Sequence, residues 1–384
     1  MEKWKIFTSE AVSEGHPDKI CDQISDAILE ACLKQDKNSH VACEVLISND
    51  TLVIAGEITT NAIIDYEKIA KQVLKDIGYK TIQDGFDVDN AEYRVLIKEQ
   101  SIDINNAVNK GINQGAGDQG IVYGYACNET ENYMPLTLEI AQKIVKNAND
   151  KRKKGLFIDA KPDMKSQVSI AYTDTGYKLI NIVFSCQHSE TYNESEFKKY
   201  INKEIITPIL EEYDLDISDY ELLINPSGRF VIGGPLGDVG LTGRKIIVDT
   251  YGGRGHHGGG AFSGKDPSKV DRSGAYYCRY VAKNIVASGL AKECEVQVSY
   301  AIGKSNPVSV NVYTYNTGVI EDYLLTQMVK DLFDFRPYSM TKELDMLNLD
   351  FYKLSKYGHF GRDDLNISYE SLDRVKQIQE YFNI

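Results

Sequence analysis

The sequence lacks several features that would place it in a particular class. No run of eighteen apolar residues occurs, so no transmembrane helix is predicted, and residues 1–10 lack the apolar centre of a secretory signal. The seven cysteines are odd in number and form no CxxC pair, which argues against a disulfide framework and a cysteine-type zinc site. We therefore expect a cytoplasmic protein whose thiols are reduced and lie in the core.

Positive charge is also scarce. The 384 residues include 43 Lys and Arg but 56 Asp and Glu, which gives a net charge of −13. Nucleic acid and anionic membranes repel so acidic a chain, so neither is an expected partner. At about 150 residues per domain, the length predicts two or three domains.

One segment departs from this average. Residues 225–290 hold nine basic and four acidic residues, a net charge of +5, together with 15 of the 30 glycines, which leaves −18 for the rest of the chain. Glycine lets the backbone approach a ligand closely, and Lys and Arg bind phosphate oxygens. The segment therefore predicts a polyphosphate site, with a flexible basic loop as the alternative. Apolar triads at 230–232 and 246–248, interpreted as strands, favour a folded cradle.

Hydrophobic periodicity predicts helices that alternate with pairs of strands. The predicted helices cover residues 17–33, 65–77, 136–149, 195–213, 270–288 and 320–333. The predicted strands cover residues 41–47, 52–58, 91–97, 121–125, 166–173, 177–184, 294–302 and 308–315. This order favours mixed α+β domains with helices on one face of each sheet over a doubly wound parallel sheet. The polar segment 101–119 is either a functional lid or a linker, and composition does not decide between them.

Three glycine motifs fit only in part. Residues 115–120 match the dinucleotide pattern G-x-G-x-x-G, but a polar loop precedes them and a strand-like run follows. Residues 259–265 match the start of a P-loop, but Asp266 replaces the Ser or Thr that binds magnesium. Residues 257–260 match the HGGG element of lipases, but the chain has no G-x-S-x-G nucleophile. A nucleotide-phosphate role for Lys265 in another geometry stays open.

Longer motifs follow one another along nearly the whole chain. In order, they are VSEGHPDK at 12–19, GEITT at 56–60, residues 114–120, NPSGRF at 225–230, residues 233–249, GGGAFS at 258–263 with its extension to Asp271, and YGHFGR at 357–362. Together they resemble the S-adenosylmethionine synthetase (methionine adenosyltransferase) family.

This resemblance implies that the sulfur of methionine attacks C5′ of ATP and displaces triphosphate, which is hydrolysed to pyrophosphate and phosphate. A thioether carries no proton, so the reaction requires no general base, and the sequence offers no Ser-His-Asp or Cys-His constellation. Fixed cations and metal ions near the departing triphosphate would supply most of the catalysis. The implied cofactors are Mg²⁺, two per site, and K⁺.

The resemblance also implies an architecture. It comprises three similar α/β domains with pseudo-threefold symmetry and helices packed on one face of mixed sheets. The expected division is an N-terminal domain (1–100), a gating loop with a glycine-rich segment (101–119), a central domain (120–232) and a C-terminal domain (233–384), with chain segments interleaved between structural domains. The expected assembly is a homodimer with shared active sites, paired into a homotetramer.

Individual residues receive roles by the same resemblance. The residues implied in catalysis around the triphosphate are His16, Lys165, Arg244, Lys245 and Lys265. The residues implied in ATP binding are the same five with Asp163, Arg229, Phe230, Asp238 and Ala261. The residues implied in methionine binding are Glu57, Gln100, Asp118, Asp238 and Lys269. The implied metal ligands are Asp18 for Mg²⁺, Asp271 for a second Mg²⁺ and Glu44 for K⁺.

Some of these positions also have interpretations that need no resemblance. His16 comes just before a predicted helix, and the N-terminus of a helix attracts anions. Asp18 is favourable in a first helical turn in any case, and Asp271 could cap the helix at 270–288 instead of binding metal.

The sequence departs from the family pattern at a few positions. Ile102 stands where the family usually has Pro, Asn106 and Ala107 stand where it has Gln-Gly, and Met164 stands where Ala is common. Loss of Pro and loss of Gly change loop stiffness in opposite senses, so we expect lid motion to differ. We expect Met164 to alter how the adenine base is held.

Two other functions fit parts of the sequence. A kinase or NTPase that uses Lys265 would release ADP, whereas the transferase would release none. A regulatory subunit or nucleotide-binding module would show no turnover, but catalytic residue types at all matched positions favour an enzyme.

Overall fold

The computed structural model describes residues 5–99, 114–173 and 175–384. The strands in chain order are β1 (Lys5–Val12), β2 (His40–Ser48), β3 (Thr51–Thr59), β4 (Glu92–Lys98), β5 (Gly120–Cys127), β6 (Ala160–Thr173), β7 (Gly176–His188), β8 (Glu221–Ile224), β9 (Gly240–Leu241), β10 (Glu293–Tyr300) and β11 (Ser309–Tyr313). The α-helices are α1 (Pro17–Gln35), α2 (Tyr66–Ile77), α3 (Leu136–Lys153), α4 (Glu194–Tyr200), α5 (Thr207–Leu210), α6 (Ile246–Asp249), α7 (Val270–Ala287), α8 (Asp322–Leu332), α9 (Pro337–Glu343), α10 (Phe351–Leu354) and α11 (Val375–Phe382).

The strands form three sheets, each covered by at least one helix. Their strand orders are β4-β3-β2-β9, β1-β6-β7-β8 and β11-β10-β5. Neighbouring strands are antiparallel except for β3 with β4 and β7 with β8, which run parallel. Helix α1 packs on the first sheet, α3 on the second and α7 on the third. This confirms the predicted mixed α+β architecture of three sheets.

Each sheet combines strands that are distant in the chain. Strand β1 pairs with β6, so that Val12 lies opposite Lys165. In the same way β5 pairs with β10, and the short β9 pairs with β2. The pairing of β1 with β6 brings the loop that follows Val12 close to the start of β6. The domain boundaries and the pseudo-threefold axis stay predictions.

Helix α1 illustrates why the helices form where the periodicity predicts them. Pro17 occupies its first position, where the missing N–H costs nothing, and His16 caps it. Ile20, Ile24 and Ile28 recur at helical spacing and are fully buried against the first sheet. All seven cysteines lie buried, as the core-thiol interpretation predicts.

Three sequence-based assignments were wrong in detail. The triad 246–248 belongs to the single helical turn α6 rather than to a strand, and residues 230–232 are irregular. A run of three apolar residues is too short to distinguish the periodicity of a strand from that of a helix. The predicted helix 195–213 divides into α4, a π-helical turn at Ile201–Ile206, and α5, because Pro208 has no N–H to continue an α-helix.

Candidate active site

His16 occupies the N-terminus of α1 as an uncharged hydrogen-bond donor. Its Nδ1 accepts the main-chain N–H of Asp18 at 3.2 Å. Burial, followed by the positive charges of Lys245, Lys165, Lys19 and Arg244, lowers the pKa of His16 from 6.5 to about 2. Because Nδ1 is the acceptor, we assign the ring proton to Nε2, which is left to donate to a ligand.

Several cations converge on His16. Lys245 Nζ lies 2.6 Å from Asp18 Oδ2, and Arg244 Nε lies 3.8 Å from Asp18 Oδ1. The side chain of Lys165 is exposed on β6 and has no hydrogen-bond partner among the described residues. Positive side chains at a helix N-terminus make a site for an anion with several negative charges.

Asp163 lies beside these cations and is only partly satisfied. Its Oδ2 accepts the N–H of Gly234 at 3.0 Å, whereas Oδ1 is buried with no partner in the described part of the chain. Burial raises the pKa of Asp163 from 3.8 to about 6. The negative charge of Asp238 also raises this pKa, so the two carboxyl groups are neighbours. A buried carboxyl oxygen without a partner is costly unless a ligand supplies a donor.

Two residues predicted to bind ATP lie further out. The guanidinium of Arg229 is exposed and pairs with Glu190 at 2.8 Å, not with a residue of this cluster. Phe230 is half-buried, and its main chain exchanges hydrogen bonds with His188. We define the first group as the residues that the geometry does bring together: His16, Asp18, Asp163, Lys165, Asp238, Arg244 and Lys245.

Other predicted site residues form a second group around Lys265. Lys265 Nζ lies 2.5 Å from Asp271 Oδ2, and Lys269 Nζ lies 2.5 Å from Asp266 Oδ2. Ala42 on β2 lies opposite Glu57 and also bridges to Lys265.

The remaining members of the second group lie on nearby segments. Glu44 follows Ala42 by two residues on β2, so both point to the same face, which is exposed at Glu44. Asp118 is exposed and lies two residues before Gly120. Gly120 is close to Asp271, because a Cβ added to this glycine would lie 3.6 Å from Asp271 Oδ1. We define the second group as Glu44, Glu57, Asp118, Lys265, Lys269 and Asp271. The predicted ATP contact Ala261 lies instead against Gly243, next to Arg244 of the first group.

The side chains of the two groups do not contact each other directly through polar atoms in the described ranges. Among the described residues, no hydrogen bond or ion pair links a member of one group to a member of the other. The predicted methionine ligand Gln100 and the atypical positions Ile102, Asn106 and Ala107 lie outside the described residues.

Sequence reasoning missed a row of aspartates along α1. Asp18, Asp22 and Asp26 are one helical turn apart, and all three are buried. Each accepts one main-chain N–H from the basic, glycine-dense residues 225–290, at 3.0 Å from Leu241, 2.8 Å from Gly243 and 2.9 Å from Gly264. The four-residue spacing of Asp within a predicted helix was the available signal.

A buried ion network accompanies this row. Lys19 Nζ lies 2.8 Å from Asp22 Oδ2 and 2.5 Å from Asp249 Oδ1, and Asp26 pairs with Arg272. The Lys19–Asp249 and Asp26–Arg272 pairs fix α1 relative to α6 and α7.

Neither a membrane-spanning helix nor a cluster of metal-binding side chains occurs among the described residues. No helix in these ranges is both long and apolar enough to cross a membrane. The same ranges contain no cluster of three or more His, Cys, Asp or Glu side chains that could hold a metal ion by itself.

Comparison with known proteins gives a consistent result over the whole chain. Models of the N-terminal, central and C-terminal domains of S-adenosylmethionine synthetase match residues 4–102, 113–230 and 232–371. The S-adenosylmethionine synthase of Mycoplasma capricolum is 55% identical over 379 residues, which cover 98% of this chain and 97% of the relative. The synthase of Mesoplasma florum is 52% identical over 378 residues, which cover 98% and 100%. The chain therefore belongs to the S-adenosylmethionine synthetase family.

Proposed function

We propose that this chain synthesises S-adenosylmethionine from ATP and methionine, and that His16 and the basic residues of the first group bind the triphosphate. The observation that carries this assignment is the position of His16 at the N-terminus of α1, with Lys165, Arg244 and Lys245 around it. Four groups that donate hydrogen bonds then face the place where negative charge develops.

The reaction is a displacement at carbon. A lone pair on the methionine sulfur forms the bond to C5′, and the C5′–O bond breaks with its electron pair going to the triphosphate. The positive side chains stabilise that charge, and Nε2–H of His16 donates to the departing oxygen. His16 need not lose a proton, because its donor is present in the neutral ring.

The remaining proposed contacts rest on the family resemblance, and the geometry adds support only for some of them. The unpaired Oδ1 of Asp163 is suited to a donor on the nucleoside, with Asp238 beside it and Arg229, Phe230 and Ala261 completing the ATP contacts. Glu57, Gln100, Asp118, Asp238 and Lys269 are proposed for methionine.

The family generally uses Mg²⁺ and K⁺, and the donors present fit these ions. Mg²⁺ commonly takes one or two protein carboxylates together with phosphate oxygens, so a cluster of three protein ligands is not required. We propose Asp18 and Asp271 for two Mg²⁺ ions and Glu44 for K⁺. When bound, Mg²⁺ would neutralise charge on the triphosphate. Each magnesium carboxylate contacts a lysine, Asp18 with Lys245 and Asp271 with Lys265, so metal and lysine would share the phosphates.

We further propose that a site combines the first group of one subunit with the second group of another. The support is that no hydrogen bond or ion pair joins the side chains of the two groups among the described residues, together with the exposed sheet face that carries Glu44 beside the exposed apolar side chains of Leu46 and Leu96. A homodimer would complete two such sites, and pairing of dimers would give a tetramer. A cytoplasmic location stays a prediction.

Product analysis tests the proposed reaction. The purified chain with ATP, methionine, Mg²⁺ and K⁺ should form S-adenosylmethionine, pyrophosphate and phosphate in equal amounts. Formation of ADP without a sulfonium product would support a kinase or NTPase instead and overturn the proposal.

A further inference from the structure

We propose, resting on the polyphosphate role proposed for Lys265, that Asp26 and Arg272 are positioning residues that hold this lysine in place. Both side chains are buried, Asp26 in α1 and Arg272 in the first turn of α7. Neither lies in the first or second group, so their effect on the reaction would pass through the main chain at 262–265.

The ion pair between them is bidentate. Arg272 Nη1 donates to Asp26 Oδ1 at 2.6 Å, and Nη2 donates to Oδ2 at 2.9 Å. The guanidinium is held on its other sides by the hydroxyl of Tyr276 at 3.0 Å from Nε and by the ring of Phe351, whose centroid is 4.5 Å away. Two parallel hydrogen bonds and a stacked ring fix the guanidinium in one orientation.

This pair clamps the turn that carries Lys265. Arg272 Nη1 also donates to the carbonyl oxygens of Phe262 at 3.0 Å and Lys265 at 3.2 Å, while Asp26 Oδ1 accepts the N–H of Gly264 at 2.9 Å. The turn is therefore held at both ends and in the middle by one buried pair. Nη1 has two hydrogens for its three acceptors, so one N–H is shared between two of them, and an ammonium would lack the planar fork that also reaches Asp26 Oδ2.

The opposite side of the turn rests on β2. The N–H of Cys43 donates to the carbonyl oxygen of Gly264 at 3.0 Å, and a Cβ on Gly264 would lie 1.9 Å from the carbonyl oxygen of Cys43. The turn is thus enclosed between β2 and the ion pair. Release of one side would let Lys265 shift, and a misplacement of about 1 Å can cost on the order of 100-fold in rate.

A double-mutant cycle with Lys265 separates positioning from general destabilisation. Asp26→Asn should lower kcat/KM for ATP by about 10-fold or more in the parent, but by less than about 2-fold in a Lys265→Met background, because the clamp acts through that lysine. Arg272→Lys preserves the buried positive charge and removes the fork, so it tests the same clamp if Asp26→Asn fails to fold. Glu370→Gln is the control, because Glu370 forms buried pairs with Arg279 and Lys283 that contact neither group.

The outcomes are distinct. Positioning would be supported if Asp26→Asn and Arg272→Lys lowered kcat/KM for ATP less in the Lys265→Met background than in the parent. Glu370→Gln should have equal effects in both backgrounds. Equal losses from Asp26→Asn or Arg272→Lys in both backgrounds would overturn it. If Lys265→Met itself left kcat/KM for ATP unchanged, the proposed role of Lys265 would fail and the clamp with it. If Lys265→Met lowered kcat/KM for ATP but Asp26→Asn and Arg272→Lys did not, the role of Lys265 would stand and only the positioning role of Asp26 and Arg272 would be wrong.

Discussion

Lys245 donates from Nζ to Asp18 Oδ2 at 2.6 Å, at the N-terminus of the helix that His16 caps. Asp18 also accepts the N–H of Leu241, so one carboxylate holds the lysine and the chain just before it. The position of Lys245 relative to His16 is therefore set by α1. This coupling explains why the cap His16, the carboxylate of Asp18 and the ammonium of Lys245 lie close together.

His16 should matter for rate more than for stability. His16→Ala removes both the cap and the Nε2–H donor, so we expect kcat to fall by about 100-fold or more and the free energy of unfolding to fall by about 1 kcal/mol. Steady-state assays and urea unfolding measure the two effects. His16→Asn is the matched control, because Asn is a good N-cap. It should restore stability but not the parental kcat, and full recovery of kcat would contradict the donor role.

The raised pKa of Asp163 predicts that the free energy of unfolding depends on pH. Its folded-state pKa of about 6 exceeds the ordinary 3.8, so its contribution to stability is full below pH 3.8 and is lost as the pH rises past about 6. Asp163→Asn removes this titration. We expect the variant to gain about 3 kcal/mol relative to the parent between pH 3.5 and pH 7. Urea unfolding across that range checks this, and a constant difference at every pH would contradict it.

Two glycines with left-handed backbone test the packing of the Lys265 turn. Gly264 has φ +80° and lies against Cys43, whereas Gly259 has φ +95° and no atom within 4 Å of where a Cβ would lie. Gly259→Ala should cost about 1 kcal/mol of stability from backbone strain alone. Gly264→Ala should cost about 3 kcal/mol or more, because the clash adds to the strain. Thermal or urea unfolding compares them, and equal costs would contradict the close packing.

Much of the site could be predicted from local sequence, and the rest depends on long-range pairing. The motif around His16 indicated both the start of α1 and an anion site, because a helix N-terminus has a local signature. Lys165 lies near His16 because β1 pairs with β6, and no local sequence pattern specifies that pairing. Residues 246–248 were misassigned because three apolar residues fit both periodicities. The roles of Asp22 and Asp26 depend on main-chain donors more than 200 residues away, so only their spacing was visible.

Complementation between two inactive variants tests most directly whether the two groups form one site across subunits. His16→Ala disables the first group and Lys265→Met disables the second, so each variant alone should have little activity. Co-expressed in equal amounts, randomly paired subunits should place two intact groups together at about one quarter of the sites and recover about one quarter of parental activity. If both groups of a site came from one chain, every site would contain a defect. A mixture no more active than the single variants would contradict the account.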